Sequence, residues 1–404
     1  MLSVRAQIDE ENEMRKKFLL IALMGISQMA VSAEISVIPG DTVYLNSTNP
    51  GKNYNDLAVH SILISTGADE TFIVHGMRID MLSGGQIVLS KSLSAQRLVD
   101  ETQGLAQMVD HGMGIFLRAQ ILSEEGFQGL FGRQLSLASA DVLSPNEVLM
   151  LTRQHFSLDF SPDNIEITVF GADETGKERT LNARVPVAVH GAPIRYEAPL
   201  KGAWMMTSLP SIQSHHRLNP PTEYAIDFFK TNGAGKIHDG DELEAENFFG
   251  YGADVLAAAD GEVVFVIADE TQNRAAYLPR DGESDEEAGA RIGQYNMRRY
   301  AADFARAAAG NVITIKHTEA GATEFSSYGH LKADSVKVKV GDVVRRGQII
   351  AEVGDTGDSA AVHLHFQIND GANAFMSRSL PVKFLDLEET LGGVDPGQYV
   401  VKTE

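Results

Sequence analysis

The chain has 404 residues, which exceeds one typical domain and favours two folded units that each bury a core. Its 34 basic and 55 acidic residues give a formal net charge of −21, and this average charge repels nucleic acids and anionic membranes as main partners. Cysteine is absent, which excludes disulfides, a thiolate nucleophile and cysteine metal ligands. A metal site in this chain must therefore use His, Asp or Glu.

The N-terminal segment 1–33 has the features of an export signal with a leader. The basic residues 15–17 precede an apolar stretch at 18–30, and Val31 and Ala33 precede the expected cleavage position. The alternative is a membrane anchor, for which the apolar stretch is too short. We therefore expect an exported protein, periplasmic or extracellular, with no membrane span after cleavage.

Residues 34–192 are predicted to form a β-sandwich domain. Short β-branched or alternating segments are separated by Gly, Asn and Asp, which is typical of strands joined by turns. The stretch Ser92 to Val109 departs from this pattern because its apolar residues recur at helical spacing, so we expect a helical insertion there. The predicted strands include residues 42–45, 61–64, 72–74, 86–89 and 165–169.

A linker at Pro193 to Pro199 is predicted to separate this domain from a second one. Two prolines interrupt the strand pattern there, just before a new pattern begins. The second domain is predicted at 200–390, with a tail at 391–404.

The second domain contains an insertion, Glu270 to Ala309, that is rich in Arg, Glu and Ala. It is predicted to be helical from about Asp285. Because it separates strands predicted at 261–267 and 311–317, we interpret it as a helical decoration of a loop and not as a domain.

The segment His363-Leu364-His365-Phe366 can place two imidazoles on one face of a strand. Successive strand side chains alternate between faces, so His363 and His365 project together while Leu364 and Phe366 project to the other side. The two backbone positions are about 6–7 Å apart, which lets both rings reach one site. An isolated pair of this kind is more often two partly exposed histidines, so the neighbouring motifs decide between a surface pair and a shared site.

Two upstream segments add candidate residues. The alternation of residues 223–228 predicts Glu223, Ala225 and Asp227 on one strand face, although alone this pattern indicates a solvated surface. In Tyr-Gly-His-Leu at 328–331, the glycine gives the backbone freedom and places His330 at a strand end.

Together these motifs resemble the lysostaphin-type, or LytM-like, zinc metallopeptidases, which are peptidoglycan endopeptidases, over roughly Trp204 to Asp386. The family pattern is a His-x-x-x-Asp strand, a Tyr-x-His-Leu segment, a glycine-rich turn and a His-Leu-His-Phe strand, in that order. The last three are matched by residues 328–331, 354–357 and 363–366. The resemblance implies a mainly β chain whose C-terminal domain is a LytM-like antiparallel β-sheet metallopeptidase with a helical insertion.

The resemblance also implies roles for individual residues. It makes Asp227 and His365 ligands of a Zn²⁺ cofactor and places His330 and His363 beside the metal as catalytic candidates. A catalytic zinc takes three protein ligands and keeps a fourth position for water. Nearby imidazoles can then move a proton or stabilise the developing oxyanion.

The chain departs from the family at its first metal ligand, because Glu223 stands where the family has histidine. If Glu223 binds directly, the formal charge of the site falls from +1 to 0, which weakens the acidification of its water. Alternatively, an imidazole of Ser-His-His-Arg at 214–217 replaces the missing ligand. Adjacent strand residues face opposite ways, so we expect only one of His215 and His216 to reach the metal unless the segment turns, and of the two we prefer His216.

The sequence therefore favours a zinc-dependent endopeptidase that cleaves peptide cross-links of bacterial cell-wall peptidoglycan, with the first domain positioning or restricting the groove. An alternative is a catalytically impaired LytM-like domain that binds wall peptides or regulates another wall hydrolase; the replaced first histidine supports it. A third interpretation is a wall-binding structural protein without metal. The expected partners are peptidoglycan peptides and, under the alternative, another wall hydrolase.

Overall fold

The computed structural model describes residues 32–49, 54–111, 113–122, 135–207, 214–386 and 399–401. The export signal predicted at 1–33 lies almost wholly outside the described residues, as does most of the tail predicted at 391–404. Within the described ranges, no helix is both long enough and apolar enough to cross a membrane.

The chain is mainly β, as predicted, and divides into two compact units. The first unit comprises the described residues up to Leu45 together with Leu57–Phe156 and Ser161–Ala188. The second comprises Asn46–Asp56, Ser157–Phe160 and the chain from Val189 onward. The sequence did not predict that the two short early segments belong to the second unit.

The first unit contains the two sheets of the predicted sandwich and its helical insertion. Its strands are β1 (Glu34–Ile38), β2 (Val43–Tyr44), β4 (Tyr54–Ser65), β5 (Phe72–Ser83), β6 (Gln86–Ser94), β7 (Ser136–Leu137), β8 (Val142–Leu143), β9 (Glu147–Leu158), β10 (Asn164–Asp173) and β11 (Glu178–Ala188). One sheet has the order β1-β4-β9-β7, and the other has the order β2-β11-β10-β5-β6 with β8 paired to β5. Strand β3 (Asn46–Asn49) and the first residues of β4 belong to the second unit.

The helical insertion of the first unit consists of α1 (Ala95–Asp110), a short 3₁₀ helix and α2 (Leu117–Ile121). Helix α1 begins after Ser94, whose side chain accepts a hydrogen bond from the backbone of the first turn. Leu105 of α1 shares an apolar cluster with Leu63 of β4 and Met150 of β9. Each such buried side chain contributes roughly 1.5–3 kcal/mol, which accounts for the docking of this helix against the sheet.

The second unit is organised around one antiparallel sheet with the order β18-β15-β16-β17-β20-β13-β12-β22 and with β21 paired to β20. Its strands are β12 (Ala203–Thr207), β13 (Ile226–Phe229), β15 (Gly261–Ile267), β16 (Asn311–Glu319), β17 (Ala322–Leu331), β18 (Val343–Val344), β20 (Leu364–Asn369), β21 (Ser379–Leu380) and β22 (Tyr399–Val401). A separate two-stranded ladder joins β14 (Asp254–Leu256) and β19 (Ile349–Glu352). The predicted antiparallel C-terminal sheet is thereby confirmed.

The predicted second insertion is also present, as α3 (Asp285–Ala302) and α4 (Phe304–Ala309) between β15 and β16. Helix α3 begins with a capping box in which Ser284 and Glu287 bond each other's backbone N–H groups. Gly310 ends α4 at a φ of 62°, and a Cβ there would lie 2.3 Å from the backbone of Thr356. Glycine is therefore required where the insertion returns to the sheet.

One face of the central strands is apolar, and this fixes the register of β13 against β20. Ile226 pairs with Phe366, and Phe228 pairs with Leu364. All four side chains are buried. A shift of one residue would turn this apolar set to the other face, so the alternating residues of both strands must project to the opposite side.

Candidate metal centre

Asp227 of β13 and His365 of β20 are direct cross-strand partners on the polar face of the sheet. His365 Nδ1 lies 3.1 Å from Asp227 Oδ1. The structure therefore brings together the carboxylate and the imidazole that the sequence placed on two distant strands.

His363 and His330 lie beside this pair. His363 Nε2 is 3.7 Å from Asp227 Oδ1, and the ring of Phe229 stacks on His363 at 4.9 Å between centroids. The ring of His330 lies 4.6 Å from that of His363 and 5.9 Å from that of His365. His330 itself adopts a left-handed conformation with a φ of 58°, whereas the sequence assigned the conformational freedom to the preceding glycine.

Backbone carbonyls orient both of these imidazoles. His330 Nδ1 lies 2.7 Å from Thr356 O, and His363 Nδ1 lies 2.9 Å from Ala361 O. A carbonyl oxygen only accepts, so each Nδ1 must donate, and Nε2 of each neutral ring keeps its lone pair. Burial lowers the pKa of His363, and burial with the neighbouring His363 and His365 holds the pKa of His330 well below its usual value.

The adjacent histidines 215 and 216 both lie close to Asp227. One nitrogen of each ring and a carboxylate oxygen of Asp227 all lie within 4.8 Å of one another. His216 Nε2 is 3.6 Å from Asp227 Oδ2, and its ring is 4.8 Å from that of His365. The segment turns into a 3₁₀ helix at His216–Leu218, so strand alternation does not apply and both histidines lie near Asp227.

The two histidines differ in exposure, since His216 is buried and His215 is exposed. Burial lowers the pKa of His216 to about 3, against the opposing effect of the Asp227 carboxylate. Burial alone would raise the pKa of Asp227, but His216, His365 and His363 together hold it well below its usual range. The centre therefore contains an ionised carboxylate surrounded by imidazoles.

Glu223 does not share the strand face of Asp227, so this part of the sequence prediction is wrong. Pro220–Thr222 forms a 3₁₀ helix, Glu223 continues it with a φ of −46° and a ψ of −38°, and β13 begins only at Ile226. The prolines explain the difference, because they fix φ and cannot donate to a β ladder. The carboxylate of Glu223 instead accepts a hydrogen bond from Arg217.

Sequence reasoning missed Gln367, which follows His365 by two residues on the same face of β20. Its Nε2 donates to the carbonyls of Pro221 and Ala374, each at 3.0 Å. Its Oε1 therefore faces His365 Nε2, at 2.7 Å, and an amide oxygen can only accept. His365 must carry a hydrogen on Nε2, so Nδ1 is the nitrogen that faces Asp227. Burial lowers the pKa of His365, but the Asp227 carboxylate and the Gln367 oxygen raise it above its usual value. The alternation that paired His363 with His365 could have indicated this residue.

The sequence model of Peptidase family M23 matches residues 298–376. An uncharacterized protein of Haemophilus influenzae is 43% identical over 60 residues, which cover 15% of this chain and 13% of that protein. The match thus spans only a small part of that relative's length.

Solved structures of peptidases are similar at low identity. The catalytic domain of the antimicrobial peptidase lysostaphin from Staphylococcus simulans is 21% identical, with 46% of this chain and 86% of that chain covered and a TM-score of 0.22. A zinc containing peptidase from Vibrio cholerae is 14% identical, with 82% of each chain covered and a TM-score of 0.25. Csd3 of Helicobacter pylori is 13% identical, with 82% of this chain and 71% of that chain covered and a TM-score of 0.25. These TM-scores support no functional conclusion by themselves.

Proposed function

We propose that this chain, whose resemblance to the lysostaphin-type peptidases is confirmed by its match to Peptidase family M23, is a zinc-dependent endopeptidase that cleaves peptide cross-links of bacterial peptidoglycan. One observation carries the proposal: His216 and His365 both lie beside the carboxylate of Asp227, with His330 and His363 next to them. Two imidazoles and a carboxylate are the ligand types that a catalytic zinc takes.

Each of the two imidazoles lies at a suitable distance from one oxygen of Asp227 for such an ion. A tetrahedral zinc with ligand bonds of about 2.0–2.1 Å holds its donors roughly 3.4 Å apart. His365 Nδ1 lies 3.1 Å from Asp227 Oδ1, and His216 Nε2 lies 3.6 Å from Asp227 Oδ2. With Gln367 holding the Nε2 hydrogen of His365, Nδ1 is the nitrogen that faces Asp227 at the 3.1 Å contact, where a shared cation would take the place of a proton.

A zinc ion held there supplies Lewis acidity, which lowers the pKa of a water and polarises a peptide carbonyl. His330 and His363 supply the proton transfer. Each imidazole is neutral with Nδ1 tied to a carbonyl, so each can take a proton at Nε2. A protonated ring can then deliver that proton to the leaving amine or stabilise negative charge on the substrate oxygen.

The position of His216 weakens the alternative of a catalytically impaired, regulatory domain. That alternative drew its support from the missing first histidine, and His216 places an imidazole 3.6 Å from Asp227. A site of His216, Asp227 and His365 keeps the formal charge of +1 that a site with Glu223 would lose. The chemistry of acidifying water is therefore retained.

The remaining expectations from the sequence, on substrate, location and partners, also belong to this proposal. The substrate is the peptide of peptidoglycan, the place of work is outside the cytoplasm after export, and another wall hydrolase is a partner only under the regulatory alternative. The role of the first unit in positioning or restricting the groove belongs to the same proposal.

The test is digestion of purified peptidoglycan by the full chain, with and without a chelator, together with the metal content of the protein. We expect chelator-sensitive release of fragments with new amino termini, and about one zinc per chain in the wild type. Asp227→Asn should lose both zinc and activity. Binding to peptidoglycan without cleavage would support the regulatory alternative, and zinc retained by Asp227→Asn would contradict the site.

A further inference from the structure

Arg217, the residue after His216, lies at the centre of a buried ionic cluster. We propose that Arg217, with Asp56 and Glu223, is a positioning device that holds His216 against Asp227 as a metal ligand. The proposal rests on the zinc site proposed above and assigns the three charged residues a role outside the ligand set.

The contacts of the cluster are direct. Arg217 donates through Nη1 to Glu223 Oε1 and through Nη2 to Asp56 Oδ1. The guanidinium also lies 5.0 Å from the ring centre of Tyr224. The three charged residues are between 1% and 4% exposed, and Asn46 donates to the second oxygen of Asp56 at 3.0 Å.

Such an arrangement constrains the backbone at Arg217. A guanidinium stays charged and presents its donors in a rigid fork, so two buried carboxylates on two sides leave it little freedom. Removing one partner of a buried ion pair is strongly unfavourable, which keeps this orientation in place. The cluster therefore fixes both the position and the direction of the chain at residue 217.

His216 shares the tight turn that Arg217 anchors. The backbone N–H of Arg217 donates to Ser214 O at 3.1 Å, and that of Asn219 donates to His216 O at 3.0 Å. With Arg217 directed into the cluster, the neighbouring side chain of His216 points to Asp227. Fixing one residue of the turn thus fixes the imidazole beside it.

This arrangement assigns a role to two buried carboxylates, Glu223 and Asp56. Glu223 acts on the metal through Arg217 and not as a ligand. Asp56 lies 161 residues before Arg217, in the segment Asn46–Asp56 that belongs to the second unit. The metal site therefore depends on a part of the chain that precedes most of the first unit in sequence.

A double-mutant cycle separates this role from direct ligation. Zinc affinity would be measured by competition with a chelator for full-length wild type, Glu223→Gln, Arg217→Met, the double variant and Asp56→Asn. We expect zinc binding about 10–100-fold weaker in each single variant, the range for residues that orient metal ligands. Glu223→Gln should add little further loss once Arg217 is replaced, because both changes remove one device.

The absorption spectrum of the Co²⁺-loaded protein adds a readout other than activity. Glu223→Gln should retain the ligand set and alter only the band shape, whereas His216→Ala should change the spectrum to that of a site with one imidazole fewer. If Arg217→Met does not fold, Arg217→Lys replaces it in the cycle, because lysine has no planar fork to hold two carboxylates.

Glu283→Gln is the matched control, because it breaks the ion pair of Glu283 with Arg291 within the insertion and should leave zinc affinity unchanged. If the losses of zinc affinity caused by Glu223→Gln and Arg217→Met multiply in the double variant, Glu223 is a ligand and the proposal is overturned. Wild-type zinc affinity in both Glu223→Gln and Asp56→Asn would also overturn it. If Asp227→Asn also keeps its zinc, the proposed metal site itself fails. If only Asp227→Asn loses zinc, the site stands and the positioning role fails.

Discussion

Histidines in two regions of the second unit have opposite surroundings. In β16, His317 uses both ring nitrogens, with Nδ1 2.8 Å from Asp260 O and Nε2 2.7 Å from Ser326 Oγ. At the candidate metal centre, His363 has Nδ1 2.9 Å from a carbonyl while its Nε2 lies 3.7 Å from the carboxylate of Asp227. We therefore expect the partner of the second nitrogen to separate a structural histidine from one that takes part in chemistry.

Burial does not make this distinction. It lowers the pKa of His317 and of His363 alike. Both rings are therefore neutral at neutral pH, and only the hydrogen-bond partners differ. Four substitutions test whether this difference in partners decides function.

The largest effect is expected for His216→Ala, which removes a proposed ligand. Zinc affinity should fall by more than about 100-fold, since even an outer partner of a ligand is worth about 10–100-fold. His215→Ala is the matched control, because its ring is exposed, and it should keep most of the affinity. Chelator competition on both purified variants provides the measurement. Equal losses would make His215 a ligand as well.

Gln367→Leu tests whether the partner of a site imidazole matters as much as the imidazole. The change removes the acceptor of His365 Nε2–H, so Nδ1 is no longer the fixed lone-pair nitrogen. Zinc binding should weaken by about 10–100-fold in titrations of the metal-free protein. Gln367→Glu retains an acceptor and should recover most of the loss; no recovery would mean that packing, and not the hydrogen bond, is responsible.

Tyr277→Phe tests whether the insertion helps to orient the imidazole of His330. The hydroxyl of Tyr277 donates to Gly357 O at 2.8 Å, next to Thr356, whose carbonyl orients His330. The hydroxyl also contacts Asn296 and Arg299 within the insertion. Loss of the hydrogen bond to Gly357, worth about 1 kcal/mol, should lower kcat about fivefold, with KM and zinc affinity unchanged.

Tyr295→Phe serves as the control for that change, because the Tyr295 ring packs edge-on against Tyr277 at 5.7 Å. It should leave kcat unchanged. A fall in zinc affinity with Tyr277→Phe would show that the insertion supports the ligands and not the proton-transfer residue.

His317→Asn should have the smallest effect on function and a measurable one on stability. Burial lowers the pKa of His317 below 6.5 in the folded state, so the unfolded chain binds the proton more readily. The contribution of His317 is therefore complete above pH 6.5 and falls as the pH drops from 6.5 towards the folded-state pKa.

Urea unfolding across this pH range should show a shallower acid loss for His317→Asn than for the wild type, while zinc content stays the same. A changed zinc content would place His317 with the metal centre and remove the contrast between the two regions.

Much of the architecture followed from local patterns in the sequence. The helix at Ala95–Asp110 lies where apolar spacing predicted it, and the helix at Asp285–Ala302 lies where a composition rich in Arg, Glu and Ala predicted it. The alternation of Leu364 and Phe366 with His363 and His365 predicted the faces of β20 correctly. Side-chain direction in a regular strand depends only on its period, which neighbouring residues reveal.

The mainly β fold and the two insertions could be predicted from sequence patterns, and the family resemblance implied that the histidine strand meets Asp227. The folded structure was needed to show that His216 lies beside Asp227 and that Glu223 precedes the strand. It was also needed to find Gln367 and Asp56, because such contacts depend on which distant group meets a side chain after folding. Glu223 accepts a hydrogen bond from Arg217 in a turn where strand alternation no longer applies, and no local pattern records such a partner.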